Sequence, residues 1–138
     1  MYYVVDVVRF QGTPLEVESR IKNTASQDGK SVRVRIEQDP GQAGKAEAMV
    51  HVRNLAGYDV GVNAVHESKG VRAKPFSAQC ESQNVKLVQG EWIDKYLTEL
   101  QNFDGTNTCM ADQVDASSGA FLMLTGDVEE ETDGVWGR

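Results

Sequence analysis

Along the first 125 residues, runs of alternating character give way to runs with helical spacing, and then alternate again. Tyr2 to Phe10 is rich in Val and Tyr and predicts a strand from the outset. Thr13-Pro14-Leu15-Glu16 then reads as a helix start. Thr13 can cap, Pro14 suits the first helical position, and Glu16 completes a capping box. That helix should run to about Gln27, with Val17, Ile21 and Ala25 on one face and Gly29 near its end. Val32, Val34 and Ile36 alternate with Arg33, Arg35 and Glu37, which is a strand signal. After a turn at Pro40-Gly41, a second helix is predicted over Gln42 to Ala56, with Ala46, Val50 and Leu55 inward.

Tyr58 to Val65 alternates again and ends in the polar stretch His66-Glu67-Ser68-Lys69. A short helix is expected from about Arg72 to Ser82, then a small strand over Val85 to Val88. Between Glu91 and Phe103 the spacing is most regular: Trp92, Ile93, Tyr96, Leu97, Leu100 and Phe103 form an apolar helical stripe. A last helix, about Ala111 to Leu124, sets Val114, Phe121 and Leu124 on one side. Asp112, Asp115 and Gly119 fall on a neighbouring side. Strands that alternate with helices predict an α/β layer fold.

Composition narrows the class. The 138 residues suit one domain with a single core, and 40% apolar with 25% charged content is ordinary for a soluble globular chain. No apolar run approaches the roughly 18 residues a membrane span needs. The start has neither the charged region nor the cleavage site of a secretion signal, so a cytoplasmic protein is expected. Cys80 and Cys109 share no motif and read as free thiols. Of the net charge of −7, the segment from Asp127 to Arg138 carries −4, through Asp127, Glu129, Glu130, Glu131 and Asp133 against one Arg. Residues 126–138 are therefore expected to form an acidic, disordered tail beyond a domain over 1–125. An acidic body argues against a protein that coats nucleic acid in general, but clustered carboxylates are what a metal-dependent nuclease needs.

Three stretches carry candidate chemistry. Glu37 ends a core strand just before the glycine turn Asp39-Pro40-Gly41, a place where open α/β sheets build sites. The following Gly41-Gln42-Ala43-Gly44-Lys45 is not a phosphate loop. Such a loop needs four residues between its glycines and a Ser or Thr after the Lys. In the final helix Asp112 and Asp115 are three apart and share a face. Two readings stand: acids that favour a helix dipole, or ligands that hold Mg²⁺ or Mn²⁺ for phosphodiester hydrolysis. Lys69, Arg72 and Lys74 precede or open a short helix and offer cations to a DNA phosphate; a solvated loop is the alternative.

Taken in order, several stretches resemble the C-terminal nuclease domain of tailed-phage (prophage) terminase large subunits. They are Tyr2-Tyr3-Val4-Val5-Asp6-Val7-Val8-Arg9, Ile36-Glu37-Gln38-Asp39-Pro40-Gly41, Lys69-Gly70-Val71-Arg72-Ala73, Asn84-Val85-Lys86-Leu87-Val88, Trp92, Glu99-Leu100, Phe103 and Asp112-Gln113-Val114-Asp115-Ala116. The resemblance implies an RNase H-like mixed sheet flanked by helices and two-metal cutting of viral DNA during packaging. It also implies double-stranded DNA and other terminase or portal proteins as partners. Three acids make the family's site. By correspondence Glu37 is the second, and Asp112 or Asp115 the third. Two family strands precede the one matched by Tyr2 to Arg9, and the first of them bears the remaining Asp. Both strands are expected to be missing. The family's His-Asp-Asp run is here Met110-Ala111-Asp112. Asp6 is the only substitute for the first acid within the matched strand, though the family has a non-catalytic Asp there. The expectation is thus a nuclease fragment inactive by itself, with a homo-oligomer closing the open sheet edge. The alternative is a non-catalytic assembly module that docks through that edge.

Overall fold

A computed structural model describes residues 1–126; the acidic segment from Asp127 onward lies outside the described residues. Among the described residues four strands and five helices follow one another. They are β1 (Tyr2–Val4), α1 (Pro14–Asp28), β2 (Val34–Gln38), α2 (Gln42–Asn54), β3 (Val60–Ala64), α3 (Lys69–Glu81), β4 (Val85–Leu87), α4 (Ile93–Asn102) and α5 (Asp112–Thr125). They divide into two compact units. One spans Phe10–His66; the other joins Met1–Arg9 to the chain from Glu67 onward.

In the Phe10–His66 unit, α1 begins as its sequence dictates. The Thr13 hydroxyl accepts the Glu16 amide at 3.2 Å, and the Glu16 carboxylate accepts the Thr13 amide at 3.1 Å. This reciprocal box satisfies two amides that have no partner inside the helix. The helix ends at Gly29, whose φ of 90° is one that L side chains rarely adopt. Next, β2, α2 and β3 make a β-α-β unit. Its two strands run parallel, with Val34 opposite Val60, Ile36 opposite Val62 and Gln38 opposite Ala64. A helical crossover is what lets consecutive strands run parallel.

The glycines before and inside α2 are structural. Gly41, the N-cap, sits at φ 95°, and a Cβ on Gly44 would run into the Asp39 carbonyl. The buried stripe of α2 is Gly44, Ala48 and His51, continued by Leu55 just past its end. This corrects the expected inward set: Ala46 is exposed and Val50 only half-buried. At Gly44 the close approach of the Asp39 carbonyl leaves no room for a side chain.

In the other unit β1 and β4 pair in parallel, with Tyr2 opposite Val85 and Val4 opposite Leu87. The expected strand over Tyr2 to Phe10 is therefore much shorter, and ends where the partner strand β4 ends. Pairings among the described residues form two two-stranded parallel sheets, not one mixed sheet. Behind β1, the Tyr2 ring meets the Phe121 ring of α5 edge-on at 4.9 Å, and Phe76 of α3 lies 6.0 Å from Phe121.

The apolar stripe expected on α4 is buried at Tyr96 and half-buried at Trp92, Ile93, Leu100 and Phe103, while Leu97 is exposed. Tyr96 is fully buried and shares a 2.7 Å hydrogen bond with the Ser117 hydroxyl. Burial raises its phenol pKa above the ordinary 10.0 despite that bond. Ala73, Ala111 and Val114, with Leu100 and Phe103 against them, form the core between helices. Two alanines there let α3 and α5 approach closely. On α5 itself Val114 and Phe121 are buried as expected, whereas Leu124 is 55% exposed and leaves the expected face.

Candidate active site

The third helix sets the geometry of the candidate site. Ser68 caps α3 by accepting the Val71 amide at 3.3 Å, so the helix begins at Lys69. That is a turn earlier than the sequence suggested, and it places Pro75 inside the helix. Lys69 and Arg72 are thereby one turn apart on one face. Ala73 and Phe76 on the adjoining stripe are buried, which holds the first turn of α3 against α5.

On α5, Asp115 lies in the first turn and its side chain is 12% exposed. The Lys69 ammonium lies 2.7 Å from Asp115 Oδ2, and an Arg72 guanidinium nitrogen lies 3.6 Å from Oδ1. The structure thus brings together three of the six residues singled out from the sequence: Lys69, Arg72 and Asp115. Asp112 opens α5 and is exposed, and Lys74 points away from the buried stripe of α3 and is exposed too. Glu37 is exposed in β2, opposite Asn63 of β3, in the other compact unit. Asp6, the substitute acid, lies beyond the end of β1; it is exposed, and its carboxylate accepts the Val7 amide at 2.9 Å.

Electrostatics follow from these contacts. Both oxygens of Asp115 face cations. Among the described residues no group of three or more His, Cys, Asp and Glu side chains is gathered to hold a metal ion.

One buried acid escaped attention as a functional candidate. Glu99 of α4 is 7% exposed. It accepts the Val114 amide at 2.8 Å and the Gln113 side-chain amide at 3.1 Å. Its signal in the sequence was position: three residues after Tyr96 and four before Phe103, it falls on the apolar stripe of α4. An acid there must be buried and partnered.

Just before α5, Asp104 organises a loop. Its carboxylate accepts the Thr106 hydroxyl at 2.7 Å, the Thr106 amide at 2.9 Å and the Cys109 thiol at 3.2 Å. Those bonds, the Thr106 hydroxyl foremost, hold its pKa below the ordinary 3.8. The two cysteines, Cys80 and Cys109, are both free thiols, and burial pushes Cys80 above its ordinary 9.0.

No helix among the described residues is long and apolar enough to cross a membrane. No match was found among curated proteins or among solved structures. The family model described as the terminase RNaseH-like domain matches residues 1–124, and the chain therefore belongs to that family.

Proposed function

We propose that this chain is a nuclease-domain piece of a phage DNA-packaging terminase large subunit, and that it does not cut DNA unaided. The observation that carries the reading is the family match over residues 1–124. Glu37, Asp112 and Asp115 are the residues assigned to the family's second and third acids, with Mg²⁺ or Mn²⁺ as the ions they would help to hold. Supporting the assignment, Asp112 and Asp115 both lie in the first turn of α5. Met110 and Ala111 stand where the family carries His and Asp, a departure that supports the loss of unaided cutting. Double-stranded DNA is the substrate class, met in a host cytoplasm alongside other packaging proteins such as the portal. Lys69, Arg72 and Lys74 are its phosphate contacts, cations being what a DNA backbone attracts.

The test is a Mn²⁺ titration of the pure chain followed by the bound-metal resonance signal. An incomplete site predicts no saturable binding in the micromolar range. A micromolar site in the wild type, lost in Asp112→Asn, would overturn the reading.

A second reading keeps the family and drops the chemistry: a non-catalytic assembly module. It is favoured by Tyr3 and Val5, 64% and 65% exposed beside a sheet of only two strands. Exposed β edges invite strand addition. Sedimentation of the pure chain checks it, since a strict monomer at high concentration argues against docking through that edge.

A further inference from the structure

The acids of α5 sit on its first turn, and that turn has no cap of its own. Ala111, the N-cap, offers no side-chain hydrogen bond. The first amides of a helix have no partner inside it, and a buried one left unsatisfied is costly. Here the acceptor comes from another helix: Glu99 of α4 takes the Val114 amide at 2.8 Å. Its second oxygen takes the Gln113 side-chain amide at 3.1 Å, and the same nitrogen lies 3.5 Å from the Lys95 carbonyl. Glu99 and Gln113 are 7% and 5% exposed, so water does not compete for these bonds.

A carboxylate at a helix N-terminus gains from the charge-assisted bond and from the dipole. It also demands good geometry, because a buried charge is tolerated only while its bonds are made. The reach of Glu99 therefore fixes where α5 begins and how its first turn is rotated. Asp115 follows Val114 directly, and Asp112 precedes it by two residues.

We propose that Glu99 is a positioning residue, whose carboxylate pins the first turn of α5 and so sets the aim of Asp112 and Asp115. The functional meaning rests on reading α5 as the acid-bearing helix. The positioning itself is tested without metal or cleavage, so its failure and the failure of that reading are separable.

Two conservative variants of the whole chain divide reach from charge. Glu99→Gln keeps the length and an accepting oxygen; Glu99→Asp keeps the charge and draws it back by one methylene. Amide exchange at single residues, read by NMR, is the first measurement. In Glu99→Asp the Val114 amide is expected to exchange about tenfold faster or more, the scale of one lost hydrogen bond to a charged group. Amides in the second half of α5 should hardly change. Glu99→Gln keeps the reach and gives up the charge, so it should lose clearly less protection at Val114 than Glu99→Asp. The second measurement is acetylation of the Lys69 amine, which a purely structural loss elsewhere would not move. It should quicken in Glu99→Asp, as Asp115 shifts from Lys69, and return to the wild-type rate in Glu99→Gln. Wild-type exchange at Val114 in Glu99→Asp would overturn the proposal. So would a Glu99→Gln chain that loses as much protection as Glu99→Asp.

Discussion

At Asp115 a carboxylate with 12% of its side chain exposed meets an ammonium at 2.7 Å and a guanidinium nitrogen at 3.6 Å. An exposed pair of this kind is worth well under 1 kcal/mol, while a buried one is costly to break. With Lys69 at 27% side-chain exposure the pair lies between those limits. A double-mutant cycle of Lys69→Met and Asp115→Asn, read by denaturant unfolding, should give a coupling of about 1–2 kcal/mol. A coupling near zero would mean that solvent screens the pair. Asp104 offers a pH test of a different kind. Its folded pKa is depressed, so its contribution is present above the unfolded value and is lost as pH falls through the folded one. Thr106→Val removes the first cause of the depression. The Asp104 titration followed by NMR should then move up toward 3.8, with little effect at neutral pH.

Single residues were legible in the sequence where a local rule fixes them. Thr13, Pro14 and Glu16 announced the capping box because all its partners lie within four positions. The glycine pair Gly41 and Gly44 was legible as a turn and not as a phosphate loop, and its reasons are now physical: a positive φ at one, a neighbouring carbonyl at the other. What no local rule gives is the partner across space. That Asp115 would find Lys69 and Arg72, and that Glu99 would reach the Val114 amide, depends on how helices pack.

Among the elements, boundaries followed the spacing wherever apolar residues mark the buried face. α1, α4 and α5 begin and end within two residues of the expected limits. The second helix shows the limit of that signal. Its buried face is made of Gly44, Ala48 and His51, none of them strongly apolar, so the apolar pattern pointed to the neighbouring stripe. In α3 the cap at Ser68 outweighed the proline at 75, and the helix started earlier than expected. β1 is short for a plainer reason: β4 gives it only three residues to pair with. Capping gives a prediction at this scale. Thr13→Ala should destabilise the chain by about 1 kcal/mol, with Thr13→Ser close to wild type, as measured by urea unfolding. An unchanged midpoint in Thr13→Ala would show that α1 is held by packing and not by its box.

For the molecule as a whole, each compact unit carries a two-stranded parallel sheet backed by helices. Parallel sheets this small are unusual, since their faces and edges ordinarily lie covered. The resemblance to terminase nuclease domains was legible because many weak stretches fall in one order, and the family match over residues 1–124 agrees with it. Activity was less legible, because it depends on three acids meeting in space. The proposed function is that Glu37, Asp112 and Asp115 serve a nuclease site that does not cut DNA unaided. Plasmid cleavage by the pure protein in Mn²⁺, with wild type beside Glu37→Ala, tests that claim most directly. The account predicts that supercoiled plasmid stays intact with both proteins. Cutting by the wild type that disappears in Glu37→Ala would contradict it, for the residues of this chain would then suffice.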